Sequence, residues 1–141
     1  MQVIWGHRDK VEAFVVRVIG LPRGFDKCQT AAIVDAQGRL VAGVVFHNWN
    51  PEAGVIEASA AAVDPKWAQR GVLQTLMGYV FDGCRCQMLV ARTDTENKRV
   101  RRLWKAMGAV EYIIPRLRGR TASEAILCVT DDAWSQSKLS R

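Results

Sequence analysis

Residues 54–77, GVIEASAAAVDPKWAQRGVLQTLM, combine the features that a site for a long, phosphate-bearing ligand needs. The small side chains of Ala58, Ser59, Ala60, Ala61 and Ala62 let a second molecule approach the backbone of an extended segment. Glu57 and Ser59, two positions apart, share one face of that segment. Asp64-Pro65 marks a corner, and Gln69-Arg70-Gly71 forms a basic loop ahead of the apolar positions Val72, Leu73, Leu76 and Met77. The first turn of a helix offers unpaired N–H groups and a positive dipole end to a phosphate. The same residues also fit an ordinary amphipathic helix capped by Asp64, with Pro65 at its first position. Gln69-Arg70-Gly71 is a weak helix interior and favours a loop, with the helix starting near Gly71.

These residues must be held by strands on either side. Val3–Trp5 reads as a short first strand, followed by a helix with capping-box spacing at Asp9 and Glu12. Its stripe of Val11, Phe14, Val15, Val18 and Ile19 is core packing and ends at Gly20 and Pro22. Residues 30–35 and 40–49 are β-rich runs joined by Ala36-Gln37-Gly38-Arg39, and Asn50-Pro51-Glu52-Ala53-Gly54 makes the next turn. Residues 54–63 are then a third strand of an antiparallel meander, although alanine favours helix. Gln87–Arg92 is a buried strand, and the intervening helix makes it parallel to the strand carrying Glu57. A helix follows with Thr93 and Glu96 at capping-box spacing and Val100, Leu103, Trp104 and Met107 on one face, and Gly108 ends it. Residues 110–117 and 123–130 close the sheet as a hairpin, and a polar tail, 131–141, is expected to be loosely held except at Trp134.

A chain of 141 residues with 49% apolar and 24% charged residues fits one domain, 1–141. MQVIWGHRDK lacks the apolar run of a secretory signal, and no stretch resembles a membrane span, so the expectation is a cytoplasmic protein without a membrane partner. Cys28, Cys84, Cys86 and Cys128 read as reduced core thiols, with Cys84 and Cys86 at the start of a strand and too close for a C-x-x-C site. His7 and His47 are isolated, and no metal is assigned. The net charge of +6 favours an acidic partner. Between Lys98 and Arg120 there are eight basic residues (Lys98, Arg99, Arg101, Arg102, Lys105, Arg116, Arg118 and Arg120) against Glu111 alone. This patch suits the phosphates of a cofactor, a nucleic acid or an acidic protein surface, and part of it is a solvated helix face.

Taken together, Glu57, Val63-Asp64-Pro65, Arg70-Gly71-Val72-Leu73, Leu76-Met77 and Asn97-x-x-Val100-x-x-Leu103-Trp104-Lys105-x-x-Gly108 resemble the acyl-CoA-binding core of the GNAT N-acetyltransferases. The resemblance covers roughly the C-terminal two thirds of the chain. It implies an α+β, three-layer fold: a mixed, mostly antiparallel sheet with helices on both faces and a splayed central parallel strand pair. The gap would be filled by pantetheine amides acting as a surrogate strand, which satisfies otherwise unpaired backbone groups. Acetyl-CoA is the implied co-substrate. Ala62, Val63, Arg70, Gly71, Val72, Leu73, Gln74, Thr75, Asn97 and Trp104 are the implied contacts. The loop Leu21–Cys28 is implied as a rim of the acceptor site.

By the same resemblance Glu57 is the base that removes the acceptor's proton, directly or through water, and Ser59 orders a water or the departing thiolate. A backbone N–H near Val63 would bond the thioester carbonyl. Without the resemblance, Glu57 reads equally as a strand glutamate paired with an arginine, and Asn97 as a local cap. Trp104 stands where the family usually has a tyrosine, and an indole is not a usable acid. Ribosomal-protein N-terminal acetyltransferases and their phage or prophage relatives resemble the chain most, which suggests a bacterial or phage origin. The acceptor is left open among a protein N-terminus, a lysine and a small amine, as is a homodimer. Two other readings stand beside the enzyme. One is a catalytically inactive GNAT-fold module acting on a host or virion protein, consistent with Ala68, Leu73 and Trp104. The other is nucleic-acid binding through the basic 98–120 face.

Overall fold

A computed structural model describes residues 1–141. The elements are β1 (Gln2–Trp5), α1 (Arg8–Ile19), β2 (Cys28–Val34), β3 (Leu40–Asn50), β4 (Val55–Ala62), α2 (Arg70–Gly78), β5 (Met88–Asp94), α3 (Lys98–Ala106), β6 (Val110–Gly119), β7 (Ala122–Thr130) and α4 (Asp131–Gln136). They build a mixed α+β fold around one seven-stranded sheet of order β1-β2-β3-β4-β5-β7-β6. Only the β4–β5 pair is parallel. No helix is long and apolar enough to cross a membrane.

Alternation along β3 divides the core between the two faces of the sheet. Val45 packs with Val11, Phe14 and Val15 of α1 and with Ala32 and Ala61. Val44 and Phe46 pack on the opposite side with Val72, Leu73, Leu76 and Met77 of α2 and with Trp104 and Met107 of α3. The alanine run is a strand despite its helical propensity because small residues are what α1 can lie against. At neighbouring Gly43 an added Cβ would sit 3.1 Å from Val11 Cγ1 and 3.2 Å from Val15 Cγ2.

Several local expectations change. α1 starts at Arg8 after His7, which makes no side-chain cap, so the Asp9–Glu12 box does not form. Glu12 instead turns outward to the loop that follows its own helix. Thr93 lies within β5, and the cap of α3 is Asn97, whose Oδ1 accepts from Val100 N–H at 3.4 Å. Cys84 and Cys86 precede β5 rather than beginning it, and all four cysteines are free. The helix carrying α2 continues through a π-helical turn, Tyr79–Gly83. The tail forms α4, capped by Thr130 Oγ1 accepting from Ala133 N–H at 3.1 Å, and then packs onto α2.

Candidate active site

β4 and β5 are paired at only three positions, Val55 with Met88, Ile56 with Leu89, and Glu57 with Val90. Beyond them β4 stays bonded to β3 as far as Ala62, and β5 stays bonded to β7 as far as Asp94. The central strands therefore part immediately after Glu57. Val63 N–H donates to Val41 carbonyl O at 2.9 Å, on the β3 side. By alternation, the main-chain groups of Ala60 and Ala62 and the carbonyl of Ala58 point into the opening, the Ala58 N–H closing the last rung of the parallel pair. This corrects the expectation for Val63, whose N–H is already bonded and whose side chain is 64% exposed. Ala62, one position earlier, directs its backbone donor at the gap.

The N-terminus of α2 follows one short turn later. Its first helical bond runs from Leu73 N–H to Gln69 O at 3.0 Å, so the N–H groups of Arg70, Gly71 and Val72 have no main-chain partner. A Cβ on Gly71 would meet nothing within 4 Å, so the space beside this residue is open. The backbone there fits a phosphate in both charge and geometry. Side chains in the same segment serve other purposes. Val72 and Leu73 are buried in the core. Thr75 Oγ1 donates to Gly71 O at 3.0 Å, within its own helix. Arg70 Nη1 donates to Arg141 O at 2.8 Å, and Gln74 Nε2 to Leu139 O and Arg141 O at 3.2 Å each, so the C-terminal residues lie against the helix end. Trp104 is buried in the core, where its indole supports packing.

On the α1 face of the sheet the cross-strand register sets His47 of β3 opposite Glu57 of β4. His47 Nε2 lies 2.9 Å from Ser59 Oγ and 3.7 Å from Glu57 Oε2, and Asn48 Nδ2 donates to Glu57 Oε1 at 3.2 Å. Asn48 reaches Glu57 because β3 bulges between His47 and Asn50, with Asn48 at a left-handed φ of 51°. Asparagine tolerates that conformation better than most residues, and bulges of this kind re-aim side chains beside sites. Burial lowers the pKa of His47 from its ordinary 6.5, against the opposing pull of Glu57. The imidazole is therefore neutral near neutral pH.

His47 also lines a cavity of about 750 Å³ bounded by the loop 24–28 and by β3. Phe25, Phe46, Trp49 and Tyr79 supply aromatic walls, and the Phe25 ring lies tilted over His47 with centroids 4.7 Å apart. The loop is clamped to α1: Phe25 N–H donates to Glu12 Oε1 at 2.7 Å, and Arg8 Nη2 donates to the carbonyls of Phe25, at 2.7 Å, and Asp26. The Phe25 N–H, followed by Arg8, holds the Glu12 carboxyl below its ordinary pKa.

Across the opening Arg92 Nε pairs with Glu124 Oε1 at 2.6 Å, an ion pair tying β5 to β7. The basic stretch 98–120 is partly neutralised internally. Arg101 and Lys105 both pair with Glu111, at 2.7 and 3.1 Å, and Arg118 reaches Asp94 at 3.5 Å. Along the sequence His47 is an isolated histidine, ten residues from Glu57. The signal was present in the 50–54 turn, which folds residue 47 back onto residue 57.

A family model described as acetyltransferase (GNAT) family matches residues 9–109. No curated protein sequence matches the chain. Among solved structures, a variant of the spermidine N-acetyltransferase SpeG from Vibrio cholerae superimposes with a TM-score of 0.73 at 12% identity, covering 96% of this chain and 98% of that one. Mutant forms of the spermidine/spermine N-acetyltransferase SpeG from the same organism give 0.73 at 15% identity, covering 94% and 96%. At these identities the likeness is one of fold.

Proposed function

The chain belongs to the acetyltransferase (GNAT) family, and we propose that it transfers an acetyl group from acetyl-CoA to a primary amine. The observation that carries this reading is the parting of β4 and β5 after Glu57, directly upstream of the unpaired N–H groups of α2. Backbone groups of Ala58, Ala60 and Ala62 would pair with the pantetheine amides, and those of Arg70, Gly71 and Val72 would hold the pyrophosphate. Asn97 fits better as the cap of α3 than as a cofactor contact. The acceptor enters from the cavity beside β3, where Glu57, Ser59 and His47 form a proton-handling cluster next to the gap. A neutral amine is required for attack on the thioester carbonyl, and this cluster removes its proton.

A Gly71→Asp substitution tests the reading. It places a carboxylate where phosphate would sit, in open space, and an acid in a first helical turn does not disturb the fold. Calorimetric titration is expected to show acetyl-CoA binding by the native chain and its loss in the variant, at unchanged melting temperature. Equal binding by both would remove the phosphate site from α2. A module that binds without turnover is favoured by one feature, the Leu139 and Arg141 carbonyls that already engage Gln74 and Arg70. Binding without acetyl transfer to any amine would select it.

A further inference from the structure

We propose that His47 is the residue that takes the acceptor's proton, through Nδ1, and that the acceptor is a monoamine carried on an apolar, ring-sized body lodged among Phe25, Trp49 and Tyr79. This rests on the acetyl-transfer reading above and names the base and the substrate class of the same site. Nε2 of His47 faces two oxygen acceptors, Ser59 Oγ at 2.9 Å and Glu57 Oε2 at 3.7 Å. In the proposed tautomer the ring proton is on Nε2, where Ser59 Oγ accepts it and the nearby Glu57 carboxylate favours it. Nδ1 then carries the free lone pair, and it makes no hydrogen bond within the chain. Glu57 is thereby a positioning residue: it is held by Asn48 and orients the imidazole that borders the cavity.

The charged surroundings of His47 are sparse. Glu57 faces it from β4 and Cys28 from β2, Asp26 and Lys27 lie on the cavity loop, Arg8 and Glu12 stand behind that loop on α1, and Arg92 lies beyond Glu57 on β5. Asp26 is the one carboxylate among the cavity-lining residues, which leaves no row of carboxylates for a polycation. The aromatic rings and the one imidazole suit an apolar body with a single amine, the usual composition of a small-molecule pocket. In the reaction, Nδ1 accepts a proton from the incoming ammonium and the neutral amine forms the N–C bond at the thioester carbonyl. The C–S bond breaks with its electron pair on sulfur, and the second amine proton passes to the thiolate. The imidazolium then returns its proton to water through the cavity.

The test uses the full chain with acetyl-CoA and two probe amines, phenethylamine and spermidine. Phenethylamine is expected to give the higher kcat/KM. His47→Gln is expected to lower kcat by ~10²–10⁴-fold, with acetyl-CoA affinity and melting temperature unchanged. In the native chain kcat/KM falls on the acid side as His47 protonates, and that limb disappears in the variant. Imidazole restores turnover to His47→Ala. Glu57→Gln keeps more activity than His47→Gln and moves the acid limb to lower pH, because it removes a charge that favours the imidazolium. Trp49→Ala raises KM for phenethylamine and leaves kcat. Full activity in His47→Gln, or a stronger loss in Glu57→Gln with no imidazole rescue of His47→Ala, overturns His47 as the base. Preference for spermidine overturns the substrate class. Acetyl-CoA binding with neither amine acetylated and no shift of the His47 Nδ1 resonance on phenethylamine addition overturns this inference alone. Absence of acetyl-CoA binding overturns it together with the transfer reading.

Discussion

Single residues in this chain are tuned by a few close partners, and their pH behaviour can be read from them. Arg101 first, then Lys105, hold the Glu111 carboxyl at about 2, down from an ordinary 4.5. A carboxyl whose folded pKa is depressed contributes stability that is complete above the unfolded value and is lost as pH falls through the folded one. The urea midpoint should therefore drop between pH 4.5 and about pH 2, and Glu111→Gln should remove that part of the slope. A slope unchanged by the substitution would assign the acid lability elsewhere. The pairing was partly legible in the sequence, where Glu111 stood alone among eight basic residues. Which of them it meets was decided by the turn at Gly108, which brings β6 back beneath α3 and has a left-handed φ of 104°.

At the level of elements, the position of α1 depends on small residues beneath it. Gly43, Ala32 and Ala61 leave room for Val11, Phe14 and Val15. Gly43→Ala adds a methyl 3.1 Å from Val11 Cγ1, where a β-branched side chain cannot swing away. It is expected to cost about 1–3 kcal/mol, the range for overpacking a filled core, measured by chemical denaturation. A neutral result would show that α1 lifts from the sheet without penalty. The helix itself was legible from its apolar spacing, but its start was not. Glu12 fits a capping box in isolation, and it is drawn instead to Arg8 in its own helix and to the Phe25 N–H on a loop thirteen residues on.

The molecule as a whole is two antiparallel groups of strands, β1-β2-β3-β4 and β5-β7-β6, joined through three paired positions. A ligand that bridges the parted strands would stabilise the native chain by mass action, about 2.7 kcal/mol at a hundredfold excess over Kd. Acetyl-CoA should accordingly raise the melting temperature, and hydrogen exchange should slow at Ala60 and Ala62, whose amides face the gap. Unchanged exchange at these alanines in saturating acetyl-CoA would rule out a surrogate strand. β6 stands at the sheet edge with Val110, Tyr112, Ile113, Ile114 and Leu117 exposed. No alternating pattern in the sequence foretold that exposure, because apolar runs look alike whether or not another layer covers them.

The sequence by itself determined the order of elements from β1 to β7, the parallel central pair and the loop before α2. These follow from spacing and turn residues and from the family landmarks that share them, and the flanking turn and Pro65 marked the alanine strand against its helical propensity. Tertiary structure alone decided which polar groups meet. The Val63 N–H is bonded to Val41, and Arg70 and Gln74 reach the C-terminal residues, whereas the Asn97 cap and the Thr75 bond to Gly71 are local to their helices. His47 joins Glu57 and Ser59 only through the register of β3 on β4 and the bulge that follows it. The strand contacts depend on cross-strand register, and a shift of one residue in β3 or β4 would send His47 or the Glu57–Ser59 pair to the other face of the sheet.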